Sequence, residues 1–142
     1  MENDLNLTQH ISNRFNAELE EVRSHVMKMG GLVEKQYGDA LEALLDSEAQ
    51  LGEEVASADY KVNTMEVEID EQCTLILARR QPAASDLRLV ISIIKTITDL
   101  ERIGDEAKQL AINAIKLADE SSRPSLYVQL RHLGEHVRKM LH

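Results

Sequence analysis

Apolar residues recur every three or four positions through most of the sequence, and this spacing limits the fold more than any other feature. Such spacing places apolar side chains on one face of an α-helix. Strict alternation of β-branched residues is absent, and only two prolines occur in the 142 residues. The sequence therefore predicts an all-α protein with long helices. The first apolar series consists of Ile11, Phe15, Leu19, Val22, Val26, Met29, Val33, Tyr37, Ala40 and Leu44.

Three further segments carry the same periodicity. A second helix is predicted with apolar positions from Leu51 to Ile76, a third with apolar positions from Val90 to Ala114, and a fourth from Pro124 onwards. We predict a long antiparallel three-helix bundle over residues 1–120, followed over residues 121–142 by a linker and a fourth helix. Small residues on the inner side of the third helix should let a neighbouring helix approach closely. They are Gly104, Ala107, Ala111, Ala114 and Ala118.

Charge and hydropathy exclude several classes of function. The formal net charge of −9 repels polyanions, so we expect no nucleic-acid partner. Polar residues interrupt the longest apolar run, Leu87 to Ile97, and the N-terminal residues lack a basic stretch. We therefore expect neither direct membrane insertion nor a signal peptide. The single cysteine, Cys73, falls on an apolar helix face, which indicates a buried thiol and a reducing, cytoplasmic location.

Two acidic stripes suggest a metal site. On the third helix, Glu101 and Asp105 are four residues apart at one edge of the apolar face, and the second helix has a polar stripe on the corresponding edge. In an antiparallel pair these edges line one groove. Similar distances from the intervening turn should also bring the stripes to one level. The predicted ligands are Asp59, Asn63, Glu101 and Asp105, with Glu66 and Asp70 as extensions.

All of these ligands are oxygen donors, which suit Mg²⁺, Mn²⁺, Ca²⁺ or carboxylate-bridged iron better than Zn²⁺ or Cu⁺. The simpler alternative is a solvated acidic edge, neutralised by Arg102 and Lys108 on the same helix.

Basic residues flank the predicted turn between the second and third helices. Arg79 and Arg80 lie in the last turn of one helix, and Arg88 lies near the start of the next. Cations at a helix C-terminus interact favourably with the macrodipole, which is the structural interpretation of Arg79 and Arg80. Contact with phosphate or with a partner protein is the functional interpretation of all three arginines.

Two enzyme hypotheses and one structural hypothesis are alternatives to a simple metal-binding bundle. His132, Glu135 and His136 satisfy the H-x-x-E-H pattern of certain zinc peptidases. A helical bundle with carboxylates also suggests a di-iron enzyme, although the second and third helices lack the expected Glu-x-x-His motif. A purely structural helical scaffold explains the periodicity but not the two acidic stripes at matched height.

Several segments closely resemble the PhoU family. They are ARRQPAASDLRLV, DLERIGDEA, HISNRFNAELEEVR, VMKMGG and MEVEIDEQC. The resemblance implies two similar three-helix bundles, each with an E/D-x-x-x-D metal-binding motif on its second and third helices. It implies that residues 1–120 form the first bundle and that residues 121–142 form the linker and the first part of the second bundle. Glu101 and Asp105 match the motif of the third helix, and Asp59 matches its first position on the second helix. Asn63 occupies the last position, where the family motif has a carboxylate.

The resemblance also implies a function. PhoU-like proteins are non-enzymatic cytoplasmic adaptors that repress the phosphate-starvation (Pho) regulon. The implied partners are a PhoR-type sensor histidine kinase and the ATPase subunit of the phosphate ABC transporter, and the PhoB response regulator stays silent while phosphate is plentiful. Iron, manganese or magnesium is the implied cofactor, and a homodimer is the implied assembly.

Overall fold

The computed structural model describes residues 2–118 and 124–142, and it contains five helices within them. The helices are α1 (Glu2–Leu45), α2 (Ala49–Ala58), α3 (Tyr60–Arg80), α4 (Ala84–Leu117) and α5 (Pro124–Leu141). The described residues include no strand, so the all-α prediction is confirmed. Residues 119–123, which include the start of the predicted linker, lie outside the described residues.

Helix α1, the α2–α3 pair and α4 form the predicted three-helix bundle. One large core joins α1, α3 and α4, and a smaller core of three alanines and Val55 joins α1, α2 and α4. Burial of these apolar faces is the main force that stabilises the bundle. The largest fully buried side chains are Met29, Ile69, Ile97, Val22, Val33, Val62 and Val90.

The predicted second helix is interrupted at Asp59, so it forms α2 and α3 rather than one continuous helix. Asp59 keeps helical torsions, with φ −60° and ψ −28°. The Val62 amide donates to the Asp59 carbonyl oxygen at 3.0 Å, which is the tighter i→i−3 pattern of a 3₁₀ turn. The apolar periodicity continues across this break, and it therefore gave no sign of the interruption.

Small residues bring α2 and α4 close together, as the sequence predicted. Gly104, Ala107, Ala111 and Ala114 are all buried. A Cβ atom added at Gly52 would lie 3.0 Å from the Ala111 carbonyl oxygen. The backbones of α2 and α4 are therefore nearly in contact at this level.

Helix α5 packs against α1. The Tyr37 hydroxyl donates a hydrogen bond to the Gly134 carbonyl oxygen at 3.1 Å, and Gly134 itself is buried against Leu41. An apolar groove of about 800 Å³ remains between α1, α4 and α5. The assignment of α5 to a second bundle stays a prediction.

The turn between α3 and α4 is compact. Gln81 ends α3 in the left-handed conformation, with φ 45°, and α4 begins at Ala84. No helix in residues 2–118 or 124–142 combines the length and the apolar composition that crossing a membrane requires.

Candidate metal centre

Asp59 is a buried carboxylate at the break between α2 and α3. Its residue surface is only 3% exposed, and the Gln36 Nε2 atom on α1 donates a hydrogen bond to Asp59 Oδ1 at 2.7 Å. Gln36 is itself only 7% exposed. Burial of a charged group is costly unless it gains partners. A single neutral amide is a weak partner for a buried carboxylate, so this position favours an additional cation.

Gly104 brings α4 directly onto this pair. A Cβ atom at Gly104 would lie 3.2 Å from Gln36 Oε1, 3.3 Å from Val62 Cγ1 and 3.6 Å from Asp59 Oδ1. Glu101 and Asp105 flank Gly104 in the sequence. The structure therefore places Asp59 at the height of the acidic pair on α4, as the distances from the turn predicted.

The carboxylates of α3 and α4 perturb one another. The pKa of Glu101 is raised to about 7, first by burial, then by a hydrogen bond with Asp105 and by the negative charges of Asp105, Glu66 and Asp59. The pKa of Glu66 is also raised, by burial and by the charges of Asp70 and Asp105. We call these residues the acidic groove, which consists of Asp59, Glu66, Asp70, Glu101 and Asp105.

No basic side chain in the described part of the chain forms an ion pair with the acidic groove. Arg102 instead pairs with Asp99, at 3.9 Å. Lys108 has no carboxylate within ion-pair distance among residues 2–118 and 124–142. The groove thus carries uncompensated negative charge, which is the electrostatic setting of a cation site.

The donor set fits a hard divalent cation. Every charged group in the groove is a carboxylate, which suits magnesium, manganese or iron. In the described residues, however, no three His, Cys, Asp or Glu side chains already stand together in an arrangement that could hold an ion. Cation binding would therefore require side-chain rotations that draw the carboxylates inward.

The predicted ligands differ in exposure. Asp59 is buried and Glu66 and Glu101 are half-buried, whereas Asn63, Asp70 and Asp105 are exposed. Glu101 lies near enough to Asp105, Glu66 and Asp59 for their charges to raise its pKa, whereas Asn63 is exposed. Their role as ligands stays a prediction.

Gln36 is the residue that the sequence analysis missed. It lies between Val33 and Ala40, two fully buried members of the apolar stripe of α1. A polar side chain on such a stripe is the signal that was available, because buried amides require partners.

The three arginines near the α3–α4 turn have different environments. Arg80 forms a bidentate ion pair with Glu18 on α1, with Nε–Oε2 and Nη2–Oε1 distances of 3.1 and 2.9 Å. This hydrogen-bonded pairing lowers the pKa of Glu18. Arg79 and Arg88 are exposed. Contact of these arginines with phosphate or a partner protein stays a prediction.

The residues of the H-x-x-E-H pattern and the single cysteine lie in environments typical of structural residues. His132, Glu135 and His136 are exposed on α5, and the glycine between them packs against Leu41. Cys73 is buried, as predicted, and burial raises the pKa of its thiol to about 11. A thiol with such a pKa is unreactive at neutral pH.

Comparisons with known proteins agree with this architecture. The PhoU domain profile matches residues 26–114. The chain is 57% identical over 141 residues to the phosphate-specific transport system accessory protein PhoU homolog of Pseudomonas putida, covering 99% of this chain and 55% of that protein. It is 51% identical over 138 residues to PhoU of Escherichia coli (strain K12), with coverage of 97% and 57%.

A solved structure gives the same result at the level of the fold. The crystal structure of PhoU from Pseudomonas aeruginosa matches with a TM-score of 0.86 and 58% sequence identity, covering 89% of this chain and 61% of that one. The chain therefore spans little more than half the length of the curated relatives that it matches. Because the domain match covers more than half of its residues, this chain belongs to the PhoU family.

Proposed function

We propose that this chain belongs to a negative regulator of the phosphate-starvation regulon that modulates phosphate uptake. In this proposal it is a metal-binding adaptor between the phosphate ABC transporter and a PhoR-type sensor histidine kinase. The names of its relatives, which are accessory proteins of phosphate-specific transport, support the connection with phosphate uptake. A non-enzymatic role agrees with these names.

The observation that carries the metal-binding part is the uncompensated charge of the acidic groove. Asp59 lies on the α2–α3 side of the groove, and Glu101 and Asp105 lie on α4. A bound Mg²⁺, Mn²⁺ or iron cation would neutralise these carboxylates and cross-link the two sides. Cross-linking would make the bundle more rigid, which suits a protein whose function is to present a fixed surface.

The groove gives less support to the alternatives. A di-iron enzyme needs ligands that enclose the metals inside a bundle. Here Asp70 and Asp105 are exposed, so solvent reaches the groove. A purely structural scaffold leaves the accumulation of unpaired carboxylates without a physical reason.

We also propose that the exposed arginines Arg79 and Arg88 contact the partner protein. Arg80 is already paired with Glu18. We propose that this ion pair holds the α3–α4 turn against α1. We further propose a cytoplasmic homodimer, which sedimentation velocity at several protein concentrations tests directly.

A binding experiment with purified proteins tests the adaptor proposal. The chain is immobilised, and the transporter ATPase subunit and the cytoplasmic part of a PhoR-type kinase are titrated over it by biolayer interferometry with Mn²⁺ present. We expect saturable binding to at least one of them, weakened at least about tenfold by Arg88→Glu, because loss of a well-placed charge contact costs 1.4 kcal/mol or more.

Lys95→Glu provides the matched control, because Lys95 is also an exposed basic residue on α4, about two turns further along. It should leave the affinity nearly unchanged. Absence of saturable binding to both partners would contradict the adaptor proposal. Equal losses from the two charge reversals would contradict only the assignment of Arg88.

A further inference from the structure

We propose that Gln36 on α1 is a positioning residue of the acidic groove, which holds the Asp59 carboxylate for a divalent cation. The inference rests on the proposed cation site and extends it to a third helix. Neither acidic stripe includes this residue, and α1 has no member in the predicted ligand set.

The first support is the geometry of the contact. Gln36 and Asp59 are 23 residues apart and both are buried, with a 2.7 Å hydrogen bond between them. The bond joins α1 to the point where the α2–α3 helix is interrupted. At such a break the neighbouring helical turns constrain the backbone less, so a side-chain bond to another helix has more influence on where the carboxylate points.

The second support is the unpartnered oxygen of the same amide. Gln36 Oε1 is buried and has no hydrogen-bond partner in the described structure. It lies beside Gly104, 3.2 Å from the position of an added Cβ. A buried acceptor without a partner destabilises the folded protein. Rotation of the amide by 180° would turn its oxygen towards the Asp59 carboxylate, which is worse, so Asp59 fixes the amide in this orientation.

The third support is the chemical type of the residue. A lysine or arginine at position 36 would neutralise Asp59 and compete with a metal ion for it. The neutral amide instead donates one hydrogen bond and leaves the negative charge available. Neutral hydrogen-bond donors that orient ligands in this way are typical partners of metal-binding carboxylates, and their loss usually weakens metal affinity about 10- to 100-fold.

The test compares two glutamines that each form a hydrogen bond with a side chain of another helix, Gln36 as the donor and Gln72 as the acceptor. Gln36→Met keeps the length of the side chain and removes its hydrogen-bond donor. Gln72→Met is the matched control, because Gln72 Oε1 also forms a 2.7 Å hydrogen bond between helices, with His25 Nδ1 on α1. The dissociation constant for Mn²⁺ is measured by isothermal titration calorimetry on chelator-treated protein, with circular dichroism to verify folding.

We expect Gln36→Met to raise the Mn²⁺ dissociation constant about 10- to 100-fold and Gln72→Met to change it less than about twofold. In an Asp59→Asn background, Gln36→Met should have almost no further effect, because a residue that acts through Asp59 loses its influence when that carboxylate is removed. A persistent effect in this background would overturn the positioning role.

The wild-type chain gives a second measurement that depends on no substitution. In Mg²⁺ titrations followed by NMR, the side-chain amide resonances of Gln36 should shift with saturation, and those of Gln72 should not. If wild-type protein binds neither ion, the proposed cation site is wrong. If it binds Mn²⁺ and Gln36→Met binds equally well, or the Gln36 resonances stay unmoved, only the inference about Gln36 is wrong.

Discussion

At the scale of single residues, the main feature of the groove is that few hydrogen-bond donors and no ion pairs within the described residues compensate its negative charges. Asp59 is buried with one amide donor, and Glu101 lies among Asp105, Glu66 and Asp59. The Glu101 carboxyl group resists ionisation in these surroundings, because burial and like charges both disfavour its charged form. The metal-free protein therefore carries an electrostatic strain that a cation would relieve.

This strain predicts a pH dependence of stability. The pKa of Glu101 is about 7 in the folded protein, against an ordinary value of 4.5. Between these values the folded protein binds more protons than the unfolded chain, so the free energy of unfolding should fall as the pH rises from 4.5 to about 7. Above pH 7 the Glu101 contribution should be constant.

Glu101→Gln should remove this fall and stabilise the metal-free protein at pH 8 by about 1 kcal/mol, a value reduced for screening by solvent. Urea unfolding at pH 5 and pH 8 with chelator present measures the effect. Glu68→Gln is the control, since Glu68 is an exposed residue of α3. An unchanged pH profile in the Glu101 variant would show that the groove does not strain this carboxylate.

At the same scale, the sequence was informative about the acidic residues and gave only a weak signal for their amide partner, a polar residue on the apolar stripe of α1. Glu101 and Asp105 could be placed on one helix edge because i, i+4 spacing is a local property. The bond between Gln36 and Asp59 depends on how α1 packs against the α2–α3 junction. Helical periodicity places position 36 on the buried face but does not identify the residue that its side chain contacts.

At the scale of helices, Gly104 allows α4 to approach Asp59. Gly104→Ala would place a Cβ 3.2 Å from Gln36 Oε1 and 3.3 Å from Val62 Cγ1, both of which belong to buried residues. We expect a destabilisation of about 1 kcal/mol or more, because crowding in a packed site outweighs the better helix propensity of alanine.

Gly31→Ala is the matched control on α1. Gly31 is exposed, and an added Cβ would have no neighbour within 4 Å. This substitution should stabilise the protein by up to about 1 kcal/mol through helix propensity alone. Chemical denaturation of both variants measures the two effects, and stabilisation by both substitutions would contradict the close packing of α4 on Asp59.

Most of the helical architecture followed from the sequence, because apolar periodicity determines which face of each helix is buried. The close approach of α2 and α4 also followed, from the small residues of α4. The interruption at Asp59 did not follow from the sequence, because the apolar spacing continues through it. Asp59 also keeps helical torsions in the structure. The packing of α5 on α1 was not predicted either, since it depends on the contact of Gly134 with Leu41.

At the scale of the whole molecule, the three bundle helices converge on one polar position within an otherwise apolar interior. Helix α1 contributes Gln36, the α2–α3 junction contributes Asp59, and α4 contributes Gly104 with its flanking carboxylates. A cation at this position would link α1, the α2–α3 junction and α4, so its binding would stabilise the packing of the entire bundle. Stability of the bundle should then report directly on occupancy of the groove.

Thermal unfolding with and without Mn²⁺ tests the cation site most directly. Chelator-treated wild-type protein is compared with the double variant Glu101→Gln, Asp105→Asn. At a free Mn²⁺ concentration about 100 times the dissociation constant, the wild-type Tm should rise by about 5–10 °C. The Tm of the double variant should stay almost constant, and equal shifts in both proteins, or none in the wild type, would contradict a cation site in the acidic groove.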